Sequence, residues 1–535
     1  MVVSPIVMKI LRVGGRSRGF RISLPQALGL YGTGLGAVWG VSTLLRPIVR
    51  KLAEQCAFRA DWDGLKASLS LEAGPFGFLR CLGEGLMSLA YPDVASSLVL
   101  VAVVAVSTVL WRQVAFPSPR RRGLALLALV PSLAFVLALL NVGNRVWAIS
   151  DSGFLVRMQL ELSLVLALVG IVRRCRRIVG VVLAILVAAA PAVAGRWLFA
   201  DLAPAACYDS AWRVAFGYRA SDLGFRLRTQ LARERAVADG DFARALAERD
   251  DGAPPLRLSS AYRILALFRT DRIADELFLE PVAGRHDTSL AEVCQMDGWL
   301  LYYQYGLLLP ARRWLFELSA ECGERPLYLR TLGDISFVLG EREAARRYWT
   351  EYARFPFRGR EAAARLAALR DGKSAADVPA LRDIAALDAL WREHVRSFSH
   401  DFVDIDRQPE AVVYDLFRSV RTATPRIARM TLAASLLGND TDVLANNLDL
   451  LSRLAKGPAL PRTWQEAIVR HLGRLPADRR DAWAATVPDG LLDASGVSRW
   501  NAYAAATQGV RGPEDVRRLA EDFGDTFWYY ADFVK

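Results

Sequence analysis

Two patterns of apolar and polar positions divide the chain near residue 200. Before that point, apolar runs of about 20 residues, the length that crosses a bilayer core, predict five membrane helices. These segments are Leu24–Leu45, Val94–Trp111, Gly123–Leu140, Phe154–Val172 and Ile178–Ala200. After residue 200, apolar residues recur every three or four positions among Ala, Leu, Arg and Glu, which predicts helices throughout. The sequence therefore predicts an all-α protein, with a transmembrane domain at 1–200 and an extracytoplasmic helical-repeat domain at 201–535.

Basic clusters set the predicted orientation. Thirteen Lys and Arg, with no acidic residue, lie in Lys9–Arg21, Arg112–Arg122 and Arg173–Arg177. Because Lys and Arg in short loops stay on the cytoplasmic side, the N-terminus is predicted inside and residues 201–535 outside. The expected location is the bacterial inner membrane, with membrane lipid around the first domain and the second domain in the periplasm.

The net charge of +12 fits this topology better than it fits a nucleic-acid partner. Residues 1–200 carry 22 Lys and Arg against 8 Asp and Glu, whereas residues 201–535 carry 46 against 48. A nucleic-acid surface would need a basic face on the second domain. We therefore predict no nucleic-acid partner.

An internal repeat is the sharpest signal in the second domain. Three pairs of residues are 34 positions apart: Gly306 and Gly340, Ala311 and Ala345, and Leu315 and Trp349. This spacing is typical of tetratricopeptide (TPR) repeats, in which small residues lie where two helices cross and large ones fill the space between hairpins. Gly333 and Ala345 are the expected close-contact positions, and Phe337 and Trp349 the expected fillers. The pattern predicts an irregular TPR-like α-solenoid over roughly Cys207–Arg474.

Several stretches also resemble a known family. They are AGPFGFLRCLGEGLMSLAYPD, DGDFARALAER, YQYGLLLPARRWLFELSA with the repeat after it, PRTWQEAI and FGDTFWYYADF. Together they resemble an uncharacterised bacterial family of multi-pass membrane proteins with a TPR-like extracytoplasmic C-terminal domain. The resemblance implies the fold and the topology. It implies no reaction and no catalytic residues.

One acidic pair raises an enzyme hypothesis. Asp61 and Asp63 in RADWDG are two residues apart and could share a divalent cation if both faced one way. An acidic pair in a first outer loop resembles multi-pass glycosyltransferases that use lipid-linked sugars, although those enzymes usually have more than five spans. The alternative is a solvated turn.

Two further features lie inside the predicted membrane domain. Arg157 and Glu161 are four residues apart on one helix, where they could form a structural pair or serve a transporter. Gly32, Gly36 and Gly40 line one helix face, which allows close packing in the protein's own bundle or a dimer seam.

Histidines and cysteines predict neither a metal site nor a cofactor. Of His286, His394, His400 and His471, only the middle two are close, and six-residue spacing places them on different faces of a helix. Cys175 is predicted to be cytoplasmic and reduced. The other five cysteines are predicted to lie outside: Cys56, Cys81, Cys207, Cys294 and Cys322. A bridge between Cys294 and Cys322 and buried free thiols are both compatible with the spacing.

Two aromatic clusters each allow two interpretations. Trp299, Tyr302, Tyr303 and Tyr305 could line a peptide groove on the solenoid, but packing is the favoured prediction. The cluster Phe527 to Tyr530 could dock onto a partner or a membrane, whereas we favour a terminal helix that caps the solenoid.

The functional prediction follows from the solenoid. Stacked helical hairpins present an extended surface that suits protein or peptide partners. The sequence therefore predicts an integral membrane scaffold or adaptor of the cell envelope. The alternative is a membrane enzyme of envelope glycan or lipid assembly that uses Asp61 and Asp63. A transporter subunit that uses Arg157 and Glu161 is a third hypothesis.

Overall fold

The computed structural model describes most of residues 201–535 and part of residues 1–200. The described residues are 39, 49–59, 61–63, 66, 77–115, 220–249, 255–284, 297–394, 409–420, 424–457, 459–485, 487 and 491–534. Within them every regular element is a helix and no strand occurs, so the predicted all-α class is confirmed.

The helices are numbered here in chain order. The first part contributes α1 (Gly77–Leu89) and α2 (Asp93–Ala115). The next group forms successive hairpins: α3 (Ala220–Ala238), α4 (Phe242–Ala247), α5 (Arg257–Arg269), α6 (Ile273–Glu276), α7 (Trp299–Gln304), α8 (Leu308–Cys322), α9 (Pro326–Val338), α10 (Arg342–Ala353), α11 (Gly359–Arg370) and, after a short 3₁₀ turn at Ala375–Asp377, α12 (Pro379–His394). The last group is α13 (Pro409–Ser419), α14 (Pro425–Leu437), α15 (Asp442–Ala445), α16 (Leu448–Leu454), α17 (Arg462–Arg474), α18 (Ala477–Ala484), α19 (Ala494–Thr507), α20 (Pro513–Phe523), α21 (Phe527–Tyr529) and a π turn at Tyr530–Val534.

The prediction of a membrane bundle is corrected by the structure. In the part of the chain that the structure describes, no helix combines the length and the apolar character needed to cross a bilayer. The predicted transmembrane domain and the inner-membrane location are therefore wrong. Hydropathy alone misled the prediction. In α2, which contains Val94–Trp111, the side chains of Ser97, Leu100 and Thr108 are buried, whereas those of Leu98, Val106 and Val109 are exposed.

The other four predicted segments fall outside the described residues. They are Leu24–Leu45, apart from position 39, and Gly123–Leu140, Phe154–Val172 and Ile178–Ala200. The boundary at residue 200 also lies in an undescribed range, so the two-domain division stays a prediction.

The same type of turn ends the first helix of several hairpins. Six residues with a left-handed backbone end six helices: Gly240, Asp271, Gly306, Gly340, Gly372 and Asn439. At Gly340, where φ is 83°, the amide donates to Phe337 O at 3.2 Å and the next amide, of Glu341, donates to Ser336 O at 2.8 Å. The same pair of hydrogen bonds recurs at the other five turns. This is the Schellman motif, which satisfies the last carbonyls of a helix and reverses the chain.

The hairpin of α9 and α10 packs as the repeat predicted. A Cβ atom added at Gly333 would lie 2.4 Å from the ring of Trp349, so only glycine allows this approach. Ala345 is fully buried, and the Phe337 and Trp349 rings pack with their centroids 5.3 Å apart. The close approach predicted at Gly333 is confirmed, and Phe337 and Trp349 contact each other within this one hairpin, so their predicted role between successive hairpins stays a prediction.

Gly333→Ala is expected to destabilise the protein by about 1–3 kcal/mol through overpacking. The clash with Trp349 should outweigh the helix-propensity gain of about 1 kcal/mol from glycine to alanine. Urea unfolding followed by tryptophan fluorescence measures the change. Gly359→Ala in α11 is the matched control, since nothing lies within 4 Å of its added Cβ. Equal stabilities for the two variants would contradict the close-contact role of Gly333.

The later helices pack back onto the early hairpins instead of extending a one-dimensional stack. Phe417 on α13 contacts Phe268, Tyr305 and Trp391, at centroid distances of 5.5, 5.6 and 4.9 Å. One apolar core consequently runs from Ala236 to Tyr530, beyond the predicted solenoid end at Arg474. Two kinds of place are therefore searched for binding sites: the junctions where α13 and the helices after it meet the hairpins before it, and the outward faces of the helices.

Candidate interaction site

Asp61 and Asp63, predicted as a possible cation site, lie against the C-terminal end of α10. Arg354, which follows α10, donates from Nε to Asp61 Oδ2 at 2.7 Å and from Nη2 to Asp63 Oδ2 at 3.3 Å. A guanidinium thus already pairs with the two carboxylates. Among the described residues, no group of three or more His, Cys, Asp or Glu could hold a metal ion.

Further contacts attach the N-terminal part of the chain near the C-terminal end of α10 and just before α9. Arg59 forms ion pairs with Glu324 and with Glu351, the latter at 3.6 Å. The Arg358 guanidinium lies 3.4 Å from the ring centroid of Tyr91. Because exposed ion pairs contribute little stability, the firmest attachment must come from a buried contact.

Lys51 makes that buried contact, with one residue of α3 and one residue just before α7. Its ammonium donates to Asp297 Oδ1 at 2.6 Å and to Glu234, and all three side chains are at most 5 % exposed. Burial lowers the pKa of Lys51, but the charges of Asp297 and Glu234 outweigh it and hold that pKa above its ordinary value. Burial, together with the charge of Asp297, raises the pKa of Glu234 to about 8. At neutral pH the Lys51 ammonium therefore stays charged, and the Glu234 carboxyl group is largely protonated.

This cluster should make stability depend on pH. The pKa of Glu234 is raised in the folded protein from an ordinary 4.5 to about 8. The folded state therefore binds more protons between these values, and its stabilisation, complete below the lower pKa, is lost as the pH rises through the upper one. We expect the free energy of unfolding to fall between about pH 4.5 and pH 8. Urea unfolding across this window should show a shallower fall for Glu234→Gln. Identical pH profiles for the variant and the parent protein would contradict the shift.

A second buried ionic network joins α7, α9, α10 and α11. Asp334 on α9 is 2 % exposed and accepts hydrogen bonds from Arg365 Nε at 2.7 Å, Trp349 Nε1 at 3.1 Å and Tyr303 Oη at 3.1 Å. Burial and the charge of Asp334 raise the pKa of Tyr303 well above its ordinary value, so the phenol stays protonated and donates. This network ties successive hairpins to each other.

The first aromatic cluster is packing, and the alternative of an open peptide groove is wrong. Trp299, Tyr302, Tyr303 and Tyr305 are between 1 % and 4 % exposed. Trp299 packs edge-on against Tyr328, and Tyr302 packs edge-on against Trp314. None of the four rings is available to a partner.

The C-terminal aromatic cluster also packs inward. Phe527 and Trp528 are fully buried, and Trp528 Nε1 donates to the Glu466 carbonyl of α17 at 2.6 Å. Tyr530 donates to Leu437 O at the end of α14, at 3.0 Å. The cluster is thus an inward-packed terminal helix, as favoured, and these rings are not free to dock elsewhere.

A cleft that the sequence did not predict opens where α5, α13 and α14 meet the C-terminal turn. The ion pair between Arg257 Nε and Glu410 Oε1, 2.7 Å long, lies in its wall, and both side chains are at most 10 % exposed. Ile264, Val282 and Leu437 supply apolar surface. No periodic signal in the sequence joins these positions, because they come from separate helices distant along the chain.

An outward face of α8 exposes two large apolar side chains. Leu309 is 58 % exposed and Phe316 is 47 % exposed. Seven residues apart on one helix, they lie on the same face. The exposed ion pair of Arg313 and Glu317, 3.0 Å long, lies between and beside them. An exposed apolar pair beside polar groups makes this face of α8 a candidate contact surface.

Several predicted sites lie outside the described residues: Arg157, Glu161, Gly32, Gly36, Gly40, His286, His400, Cys175, Cys207 and Cys294. The proposed bridge from Cys294 to Cys322 is consequently untested. The buried Cys56 thiol donates to the Glu84 carbonyl oxygen at 2.8 Å. His471 Nδ1 lies 3.1 Å from Asp442 Oδ1. A contact with Asp442 thus accounts for the one histidine side chain that the structure describes.

Comparisons with other proteins identify a family but no reaction. No curated protein and no solved structure matches the chain. The model of a family of unknown function, DUF6057, matches residues 210–534, which is more than half of the sequence. As the sequence predicted, the chain belongs to an uncharacterised family, and that family is DUF6057.

Proposed function

We propose that the helices from α3 to the C-terminal turn form a TPR-like scaffold that binds a protein or peptide partner. The observation that carries the proposal is the recurrence of one Schellman turn at six helix ends, three of them at Gly306, Gly340 and Gly372. Successive hairpins of this kind build broad, rigid surfaces rather than reactive pockets. Such surfaces suit recognition of another polypeptide.

The outward face of α8 supports this proposal. Leu309 and Phe316 together expose apolar area that costs free energy in water, and a partner would remove that cost. Large aromatic residues are also enriched among the side chains that dominate protein interfaces. We therefore place one partner contact on this face.

The pairing of Asp61 and Asp63 with Arg354 speaks against the enzyme hypothesis. A metal bound by this pair would have to displace a guanidinium that lies 2.7 Å from Asp61. The scaffold proposal assigns the pair to attachment of the N-terminal stretch. Asp61→Ala combined with Asp63→Ala should then leave partner binding unchanged.

Photocrosslinking in the native host tests the scaffold proposal. A photoreactive phenylalanine analogue replaces Phe316 in the full chain, and adducts are identified by mass spectrometry. We expect one dominant adduct, found also when Leu309 carries the analogue and lost when Leu309→Glu is added to the Phe316 probe.

Val497 supplies the matched control, because it is a 42 % exposed apolar residue on the distant helix α19. The analogue at Val497 should not give the same adduct. If the Phe316 and Val497 positions yield the same set of adducts, or none, the proposal of a specific partner surface on α8 is overturned.

A further inference from the structure

The outward face of α8 carries a row of exposed residues at alternating spacings of four and three. Leu309, Arg313, Phe316 and Ala320 form this row. The same alternation places the contact residues of a coiled coil along one side of a helix. Glu317 lies beside the row and pairs with Arg313 at 3.0 Å. The row therefore suits contact with another helix along most of the length of α8.

The next repeat shows that the hairpin fold does not require an apolar pair in this row. α10 begins 34 residues after α8, at Arg342 instead of Leu308, so the two helices correspond position by position. Leu309 corresponds to Glu343, which is 62 % exposed, and Phe316 corresponds to Thr350. Since α10 folds with polar residues at these positions, the apolar pair on α8 fits a contact with another molecule.

The order of charges along α8 indicates which helix fits the row. Arg312 and Arg313 lie in its first half. Glu317 and Glu321 lie in its second half. This order opposes the helix macrodipole, which favours acidic residues at the start of a helix and basic residues at its end. An antiparallel helix with the same charge order would bring unlike charges together and oppose the macrodipole of α8. A second copy of α8 meets both conditions.

We infer that two copies of the chain associate through antiparallel α8 helices related by a two-fold axis. With the axis between Arg313 and Phe316, Leu309 lies opposite Ala320 of the second copy, so that a large side chain faces a small one. Arg313 lies opposite Phe316 of the second copy, where a guanidinium gains a cation–π contact with the ring. It also lies beside Glu317 of that copy. Both copies make the same contacts, as a two-fold interface requires.

The inference rests on the proposed scaffold function and names the partner at the α8 face as a second copy of the chain. A single helix of 15 residues offers less area than the roughly 1,200–2,000 Å² of a stable interface, so the dimer should be weak, with a Kd on the order of 100 µM. Analytical ultracentrifugation of the purified full chain, at concentrations that span this Kd, should show reversible conversion of monomer to dimer.

Two charge variants test whether the α8 helices of two copies touch. Arg313→Glu places glutamate beside Glu317 of the second copy, and Glu317→Arg places arginine beside arginine. Each variant alone should weaken self-association at least about tenfold. A mixture of the two should dimerise at least about threefold more tightly than either variant alone, because each supplies the charge that the other lacks.

The matched control lies at the corresponding position of α10. Arg347 is 77 % exposed and contacts Glu343 four residues earlier, at 3.7 Å. Arg347→Glu makes the same change of charge as Arg313→Glu, but on a helix that the inference does not place in the interface. This variant should leave the Kd of self-association unchanged.

Ultracentrifugation decides this inference, and photocrosslinking at Phe316 decides the scaffold proposal. A chain that stays monomeric overturns the inference. So does a dimer that Arg313→Glu leaves intact, or one that Arg347→Glu weakens equally. If the Phe316 adduct then contains another protein, the scaffold proposal stands with a different partner; if there is no adduct, both fail. When both hold, the adduct should be the chain itself, joined through the α8 helices of two copies.

Discussion

Lys51→Met is expected to lower the free energy of unfolding by about 3–5 kcal/mol, the cost of removing one partner from a buried ion pair. Methionine retains most of the side-chain volume, so the loss comes from electrostatics rather than from a cavity. Asp297 and Glu234, which are 2 % and 5 % exposed, would be left without their cation. Urea unfolding of the purified chain at pH 7 measures the change.

Neutralising the whole cluster separates the charge effect from general damage. Lys51→Met combined with Glu234→Gln and Asp297→Asn leaves no buried charge, and it should recover most of the lost stability. The matched surface control is Lys373→Met, since Lys373 is half exposed and lies 3.8 Å from Asp371. That variant should change stability by less than about 0.5 kcal/mol. A triple variant no more stable than Lys51→Met would show that packing, not unpaired charge, explains the loss.

The sequence predicted those parts of the fold that depend on local spacing. The 34-residue spacing of Gly306 and Gly340 indicated the repeat, and in the structure both residues take the left-handed backbone of the recurring turn, which glycine adopts most readily. The need for a small residue at Gly333 was likewise predictable, whereas its contact with Trp349 was not, since Trp349 was predicted to fill the space between successive hairpins.

Other turns carried no such signal. Asp271 and Asn439 take the same left-handed conformation, with φ near 60°, in turns that have the same hydrogen bonds. Aspartate and asparagine tolerate this conformation, but they are also common in ordinary loops. A search for glycine therefore finds only part of the repeat.

Long-range polar contacts and the cleft were beyond sequence-based prediction. Lys51, Glu234 and Asp297 belong to three separate stretches, and nothing local to any of them marks the other two. Asp61 and Asp63 were predicted as a possible cation site because their spacing was visible, whereas their partner Arg354 was not. In the same way, the apolar run in α2 predicted a helix but did not show what surrounds that helix.

Asp334→Leu is expected to cost about 3–5 kcal/mol, because it leaves Arg365 without its buried carboxylate. The substitution also removes the acceptor for Trp349 Nε1 and for the Tyr303 hydroxyl, both 3.1 Å away. Burial opposes the positive charge of Arg365, and the charge of Asp334 outweighs that effect and keeps the pKa of the guanidinium above its ordinary value. Urea unfolding followed by tryptophan fluorescence should report both the stability and the altered surroundings of Trp349.

A graded series distinguishes this network from simple loss of packing. Asp334→Asn retains one acceptor oxygen and the shape of the side chain, so it should cost less than Asp334→Leu. Adding Arg365→Leu to Asp334→Leu should recover part of the loss, because it removes a buried guanidinium that would retain only Glu361 as an ionic partner. Asp371→Asn, at a residue that is 56 % exposed, is the control and should change stability by less than about 0.5 kcal/mol. If Asp334→Asn and Asp334→Leu prove as mild as this control, the hairpins α9 to α11 are held together by their apolar contacts, and the buried ion pair contributes nothing measurable.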